Sequence, residues 1–197
     1  MNAHDLLWGM TPAHLPADAP AWVLDALGAG HPVVVRRAIA QAGQVAVGVR
    51  GPLREQRFAA EMPLAAVQRR VIPEALRGVI STRDLPALQA LTQLRPVLAQ
   101  EAWGVTGSAG FELATGIEAL HAQSDLDLIL RTPERLERGD AEDLLAMLDK
   151  APCAVDLQLQ TPFGAVALRE WASGSRRVLL KTVSGAHLVL DPWQAVA

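Results

Sequence analysis

Cysteine is nearly absent. Cys153 stands alone, so no disulfide can close within the chain and no zinc cluster can be built from thiolates. It is expected in an apolar strand, as a small core side chain. No run of residues approaches the roughly 20 apolar positions that a membrane-spanning helix needs. Met1 to Asp5 put no positive charge ahead of an apolar segment, which argues against a signal peptide and makes the cytoplasm the expected compartment. A basic excess is also missing: the formal net charge is −3, unlike a general nucleic-acid binder. Among the 18 cationic residues, only Lys150 and Lys181 are lysines. The arginines carry planar forks that pair bidentately with phosphate, although the abundance of alanine assigns most of this bias to GC-rich coding. No Walker A sequence is present, and Gly104, Gly107 and Gly110 lack the G-x-G spacing of a dinucleotide fingerprint. Neither an internal repeat nor a low-complexity tract interrupts the chain.

What remains is ordinary globular material. Half of the 197 residues are apolar and a fifth are charged, enough to bury the core of one domain or of two small ones. Trp8 and Trp22 read as packing anchors. Strands are expected at Pro32–Arg37 and Gln44–Arg50, with Arg54–Ala59 returning after the Gly51-Pro52 turn, which makes a small antiparallel sheet. Arg36, Arg37, Arg50, Arg54 and Arg57 give that sheet a basic face, suited to a polyphosphate or an acidic protein, or else a solvated edge. Leu64, Val67 and Val71 recur at helical spacing after Pro63. A helix bearing Leu88, Leu91 and Leu94 is expected after a connection, with Asp84 as its cap and Pro96 at its end. The domain boundary is placed in residues 78–86, giving an N-terminal α+β domain over 1–82 and a second domain over 83–197.

The second domain is organised around acids. In Ser124-Asp125-Leu126-Asp127-Leu128-Ile129-Leu130, leucines alternate with Asp125 and Asp127, the pattern of a strand with one face to the core. Two carboxylates side by side on one face repel each other unless a hard cation such as Mg²⁺ lies between them. A second alternating strand, Ala154 to Gln160, carries Asp156 on the face opposite Val155, Leu157 and Leu159. If the strands are neighbours, the three carboxylates suit two Mg²⁺ ions roughly 3.5–4 Å apart. Upstream, the Gly107-Ser108 turn offers backbone N–H groups and a hydroxyl to a phosphate. A short helix and a loop are expected between that turn and the acidic strand. Asp140 caps a helix with Leu144, Leu145 and Leu148; another helix follows over Ala165–Trp171, and a hairpin turns at Ser184-Gly185. An α+β fold with a mixed sheet follows.

A Gly-Ser turn, then Asp-x-Asp on a strand, then Asp on a second strand resembles the DNA polymerase beta-like nucleotidyltransferase superfamily. Residues 103–116 (Trp-Gly-Val-Thr-Gly-Ser-Ala-Gly-Phe-Glu-Leu-Ala-Thr-Gly), with Ser-Asp-Leu-Asp-Leu at 124–128, resemble a narrower group. So do Val-Asp-Leu-Gln-Leu-Gln-Thr-Pro (155–162), Glu-Trp-Ala (170–172), Leu-Leu-Lys-Thr (179–182) and Asp-Pro-Trp (191–193). That group is the phosphoribosyl-dephospho-CoA transferase of malonate decarboxylase, its holo-acyl-carrier-protein synthase. The resemblance implies a nucleotidyltransferase-like mixed sheet behind a small α+β domain. It also implies transfer of phosphoribosyl-dephospho-CoA from 2′-(5″-triphosphoribosyl)-3′-dephospho-CoA to a serine of the apo acyl carrier protein subunit, with release of diphosphate. Asp125 and Asp127 are then catalytic, and Asp156 joins them from the superfamily pattern, all three holding Mg²⁺, with Mn²⁺ as the alternative. Gly107, Ser108 and Lys181 are the expected substrate contacts; Lys181 is a lone lysine in an apolar strand that a solvated face would also explain. His121 and His187 are candidate bases but read better as surface or packed histidines. Neither nucleic acid nor membrane is an expected partner. The competing readings are transfer of a nucleotide from an NTP to another hydroxyl, and an inactive carrier-docking module.

Overall fold

The computed structural model describes residues 1–53 and 55–195, in two compact units, Met1–Ile72 and Pro73–Ala197. Arg54, expected in the basic face and at the start of a strand, lies outside the described residues.

The first unit is an antiparallel sheet with one helix. Its elements are β1 (Leu6–Trp8), α1 (Ala21–Gly28), β2 (Val33–Val35), β3 (Gln44–Arg50), β4 (Arg57–Pro63) and β5 (Arg69–Val71), with strand order β4-β3-β2-β1-β5. Alternation in the strands turns Leu7, Val33, Val35, Val47, Val49 and Met62 into one buried face, against which α1 packs Val23 and Leu27. The opposite face carries buried Leu6 and Ala46, and arginines where β3 and β4 meet at Arg50 and Arg57, which are direct cross-strand partners. The Arg36 side chain runs over Gly48, two residues along β3 from Arg50. Trp22 packs against the apolar core, and the Arg69 guanidinium stacks 4.4 Å from the centre of the Trp8 ring. The helix expected from Pro63 to Val71 is instead a single 3-10 turn, Leu64–Ala66, followed by β5. Three apolar positions are too few to fix a helix, and Arg69 to Val71 gain a strand partner in β1. Arg70 then donates to the fully buried Asp5 carboxylate at 2.8 Å.

The second unit begins earlier than the expected boundary, because Pro73–Leu76 packs on its first strand. A Cβ on Gly104 would lie 2.4 Å from the Pro73 carbonyl carbon, so only glycine admits this turn, and Glu74 pairs with Arg131 at 2.7 Å. The elements are α2 (Pro86–Val97), β6 (Trp103–Val105), α3 (Gly107–Thr115), β7 (Leu126–Arg131), α4 (Arg138–Leu148), β8 (Val155–Gln160), β9 (Ala165–Ala167), α5 (Leu168–Ala172), β10 (Val178–Thr182) and β11 (Gly185–Val189). They build a mixed sheet of order β11-β10-β9-β8-β7-β6, in which β7 and β8 are parallel and the remaining pairs antiparallel. A parallel pair needs a crossover, which α4 supplies. Pro86 at the start of α2 fits a position whose N–H has no helical partner. Asp84 accepts from Gln89 rather than capping that helix, and Asp140 falls in the first turn of α4, after its cap at Glu137. The expected Ala165–Trp171 helix divides into β9 and α5. Cys153 is half-buried just ahead of β8 rather than in the core.

Trp103, Leu126, Leu128, Ile129, Leu159, Leu168 and Trp171 are fully buried, each apolar side chain contributing about 1.5–3 kcal/mol. Ile129 lies on the face shared with Asp127, so β7 is covered on both sides at its middle. The Asp-Pro-Trp motif serves the fold. Thr161 donates to the Pro192 carbonyl, Trp193 donates to the Thr132 carbonyl, and the Trp171 and Trp193 rings meet edge to face at 5.1 Å. Among the described residues, no helix is long and apolar enough to cross a membrane.

Candidate active site at the paired acidic strands

The register of the parallel pair decides the site. Asp127 of β7 and Asp156 of β8 are direct partners, so their side chains leave the same face of adjacent strands, whose backbones run about 4.8 Å apart. Leu126 and Leu128 are buried on the other face, as are Val155 and Leu157, and this pins the register; a one-residue slip would send the acids into the core. Asp127 is half-buried and Asp156 exposed. Like charges directly opposite each other cost up to about 1 kcal/mol, which the hydrophobic register outweighs.

The Gly-Ser turn lies against this pair. Helix α3 starts at Gly107 itself, earlier than the sequence suggested, and Gly107 has φ +60°. An ideal Cβ at Gly107 would sit 1.8 Å from Asp127 Oδ2. Glycine is therefore required by both the backbone conformation and the carboxylate that fills its side-chain space. The Thr106 N–H donates to the Asp127 carbonyl at 2.9 Å, joining the approach to α3 with the acidic strand. Asp127 thus lies at the N-terminus of a helix, where the dipole favours negative charge. Ser108 follows in the first turn.

Asp125 and Asp156 line a cavity of about 280 Å³, together with Leu145, Leu148, Ala154, Leu168 and Arg169. Arg169 is the one cation among its described lining residues and was missed by sequence reasoning. It immediately precedes the Glu-Trp-Ala motif, at residues 170–172, and nothing in its local spacing marks it out. Its guanidinium pairs with Asp149 at 2.6 Å, which holds the Asp149 carboxyl below the usual range.

A buried carboxylate shapes the loop that leads into β7. Glu112 of α3 accepts from the Ala119 and Leu120 N–H groups at 2.8 and 2.9 Å, and Arg83 Nη1 donates to both its oxygens at 2.8 Å. Burial pushes the Glu112 carboxyl up, but the two N–H groups and Arg83 outweigh it and hold the carboxyl below the ordinary glutamate value. The Glu-x₆-Ala-Leu spacing carried no signal, because it is read only once the loop has folded back.

Lys181 is not brought beside the acids. It pairs with Ala165, which pairs with Gln160, so it lies on the same face but two strands across and, by the rise from Asp156 to Gln160, roughly 13 Å along the strand direction. Nor do His, Cys, Asp or Glu side chains, among the described residues, form a preassembled group of three for a metal. The acids present are hard oxygen donors of the kind that holds Mg²⁺ through one or two carboxylates and leaves the remaining positions to substrate phosphates.

The family described as phosphoribosyl-dephospho-CoA transferase MdcG, N-terminal domain, matches residues 2–73, and the corresponding C-terminal domain matches residues 75–192. A Pseudomonas fluorescens Pf0-1 protein named phosphoribosyl-dephospho-CoA transferase is 64% identical over 97% of this chain and 94% of its own length. A protein of that name from Pseudomonas fluorescens Pf-5 is 65% identical over 96% of this chain and 92% of its own. One from Pseudomonas aeruginosa PAO1 is 60% identical over 97% and 93%. No solved structure matches the chain. Fold and matches together define a class, the two-unit α+β transferases. Within it, the chain belongs to the phosphoribosyl-dephospho-CoA transferase family, which its two domain matches cover almost end to end.

Proposed function

We propose that this chain transfers phosphoribosyl-dephospho-CoA from 2′-(5″-triphosphoribosyl)-3′-dephospho-CoA to a serine of the apo acyl carrier protein subunit of malonate decarboxylase, in the cytoplasm. The serine oxygen attacks the phosphorus nearest the ribose. A new P–O bond forms, the bond to the outer two phosphates breaks, diphosphate leaves, and the serine proton passes to solvent. The observation that carries this reading is the pairing of Asp127 with Asp156 against the Gly107-Ser108 helix start.

Asp125, Asp127 and Asp156 would hold Mg²⁺, two ions by the resemblance, with Mn²⁺ as the substitute. Bound there, the metal would activate the attacking oxygen and neutralise charge on the leaving phosphates. The chain's own contribution is positioning. The backbone N–H groups at the start of α3, with the Ser108 hydroxyl, face the reacting phosphate. The Arg83–Glu112 bracket fixes the loop that delivers Asp125. Lys181, on the acid-bearing face but farther along, meets a distal phosphate of the extended donor. The N-terminal unit binds carrier or donor through Arg36, Arg50 and Arg57.

The test is incubation of the purified protein with Mg²⁺, the triphosphoribosyl donor and apo carrier, followed by intact mass of the carrier. The expected result is a mass gain equal to the donor less diphosphate. An unmodified carrier, with label transferred from ATP instead, would refute the reading in favour of an NTP-dependent transferase.

A further inference from the structure

Asp125 and Asp156 line the cavity, and a triphosphate bound beside them would meet a charge problem. Diphosphate is more negative than the group it departs from, and the described lining of the cavity offers Arg169 as its cation. Arg169 is carried on α5, immediately after Leu168, which is 1% exposed and packs the helix down. Trp171 anchors the next turn, with its ring nitrogen donating to the Leu136 carbonyl at 2.9 Å. The helix is therefore fixed, while the Arg169 side chain itself is 60% exposed. Its current partner, Asp149, is 50% exposed and lies just beyond α4. An exposed pair of this kind contributes little to stability and exchanges readily. The guanidinium is charged with or without a partner; its hydrogen bond to Asp149 raises its value further, and the Asp156 charge adds to this.

We propose that Arg169 is the anion-binding side chain of the acidic cavity, releasing Asp149 to take the outer phosphates of the donor and then the diphosphate product. The proposal rests on the transfer reading above and adds to it a leaving-group site. A guanidinium fork can give two parallel hydrogen bonds to a phosphate, as it now does to a carboxylate. Asp149 acts as a placeholder that keeps the arginine extended toward the cavity rim and competes with the incoming anion.

Opposite consequences follow for the two halves of the pair, and a purely structural tie between α5 and the end of α4 would not produce them. Diphosphate binding to the full-length protein in Mg²⁺, measured by calorimetry without donor or carrier, reads the site directly. Arg169→Ala should weaken diphosphate binding at least about tenfold, and Arg169→Lys should recover part of the loss. Asp149→Asn should tighten it severalfold by removing the competitor. Unchanged affinity in Arg169→Ala would overturn the proposal. So would equal weakening in Arg169→Ala and Asp149→Asn accompanied by matching losses in Tm. Because calorimetry needs no carrier, failure of the carrier-loading assay in the unmutated protein is a separate result that sinks the transfer reading instead.

Discussion

Replacing Gly107 with alanine perturbs the site at one atom. The added Cβ would sit 1.8 Å from Asp127 Oδ2, whereas an ordinary nonbonded contact is about 3.5 Å, so the carboxylate must retreat by roughly 1.7 Å. A displacement of that order at a catalytic group is worth about 10²-fold in rate. Alanine at φ +60° also costs about 1–2 kcal/mol of stability, a Tm loss of roughly 2–8 °C in a chain of this size. Gly116 separates the two effects. It ends α3 at φ +75° with nothing within 4 Å of an added Cβ, so Gly116→Ala pays the backbone cost and touches no acid. Both variants should melt a few degrees early, but only Gly107→Ala should lose about a hundredfold in carrier loading, measured by timed intact-mass assays. Rates for the two variants within about threefold of each other would show that Asp127 need not stand where α3 begins.

Four other expectations can be checked together. Asp127→Asn should abolish carrier loading, and Asp156→Asn should remove most of it while leaving Tm unchanged or slightly raised, since it relieves a like-charge pair; substantial turnover in either would contradict their role. Glu112→Gln should cost about 1–3 kcal/mol near neutral pH. A depressed carboxyl contributes stability above its ordinary value of 4.5 and loses it as pH falls through the folded-state value, so the variant's denaturant midpoint should fall less steeply than the parent's on acidification. Parallel midpoint curves would deny that bracket its charge. Lys181→Ala should raise KM for the donor severalfold and spare kcat. Arg36→Ala with Arg57→Ala should weaken carrier or donor binding, more so at low salt; unchanged affinity for both would assign that face to solubility.

Much of the architecture was legible because the residues carrying it also carry strong periodicity. The leucines of β7 and β8 alternate over six residues each, so their acids could be assigned to one face before any coordinates. The small antiparallel sheet and the final hairpin were readable for the same reason. Two short elements were not: β1 and β5 span three residues each and rest on long-range pairing, β5 with β1 and β1 also with β2, which no local pattern holds. The Pro63–Val71 segment reads as helix until β1 offers it hydrogen bonds. At the candidate site, residue types singled out the three aspartates and the Gly-Ser turn, but not that Gly107 makes room for Asp127. Arg169 and the Arg83–Glu112 bracket stayed hidden because their partners are distant in sequence and their own neighbours ordinary. Lys181 stood out by composition, yet the strand register sets it down the sheet from the acids.

The central claim is that carboxylates from β7 and β8 act together on a metal-bound phosphate, and metal binding tests it without turnover. Mn²⁺ titrated into the protein in the presence of the triphosphoribosyl donor, and followed by electron paramagnetic resonance, should show donor-dependent binding. That binding should fall at least about tenfold in Asp127→Asn and again in Asp156→Asn. Donor-dependent Mn²⁺ binding of parental strength in both variants would contradict the account.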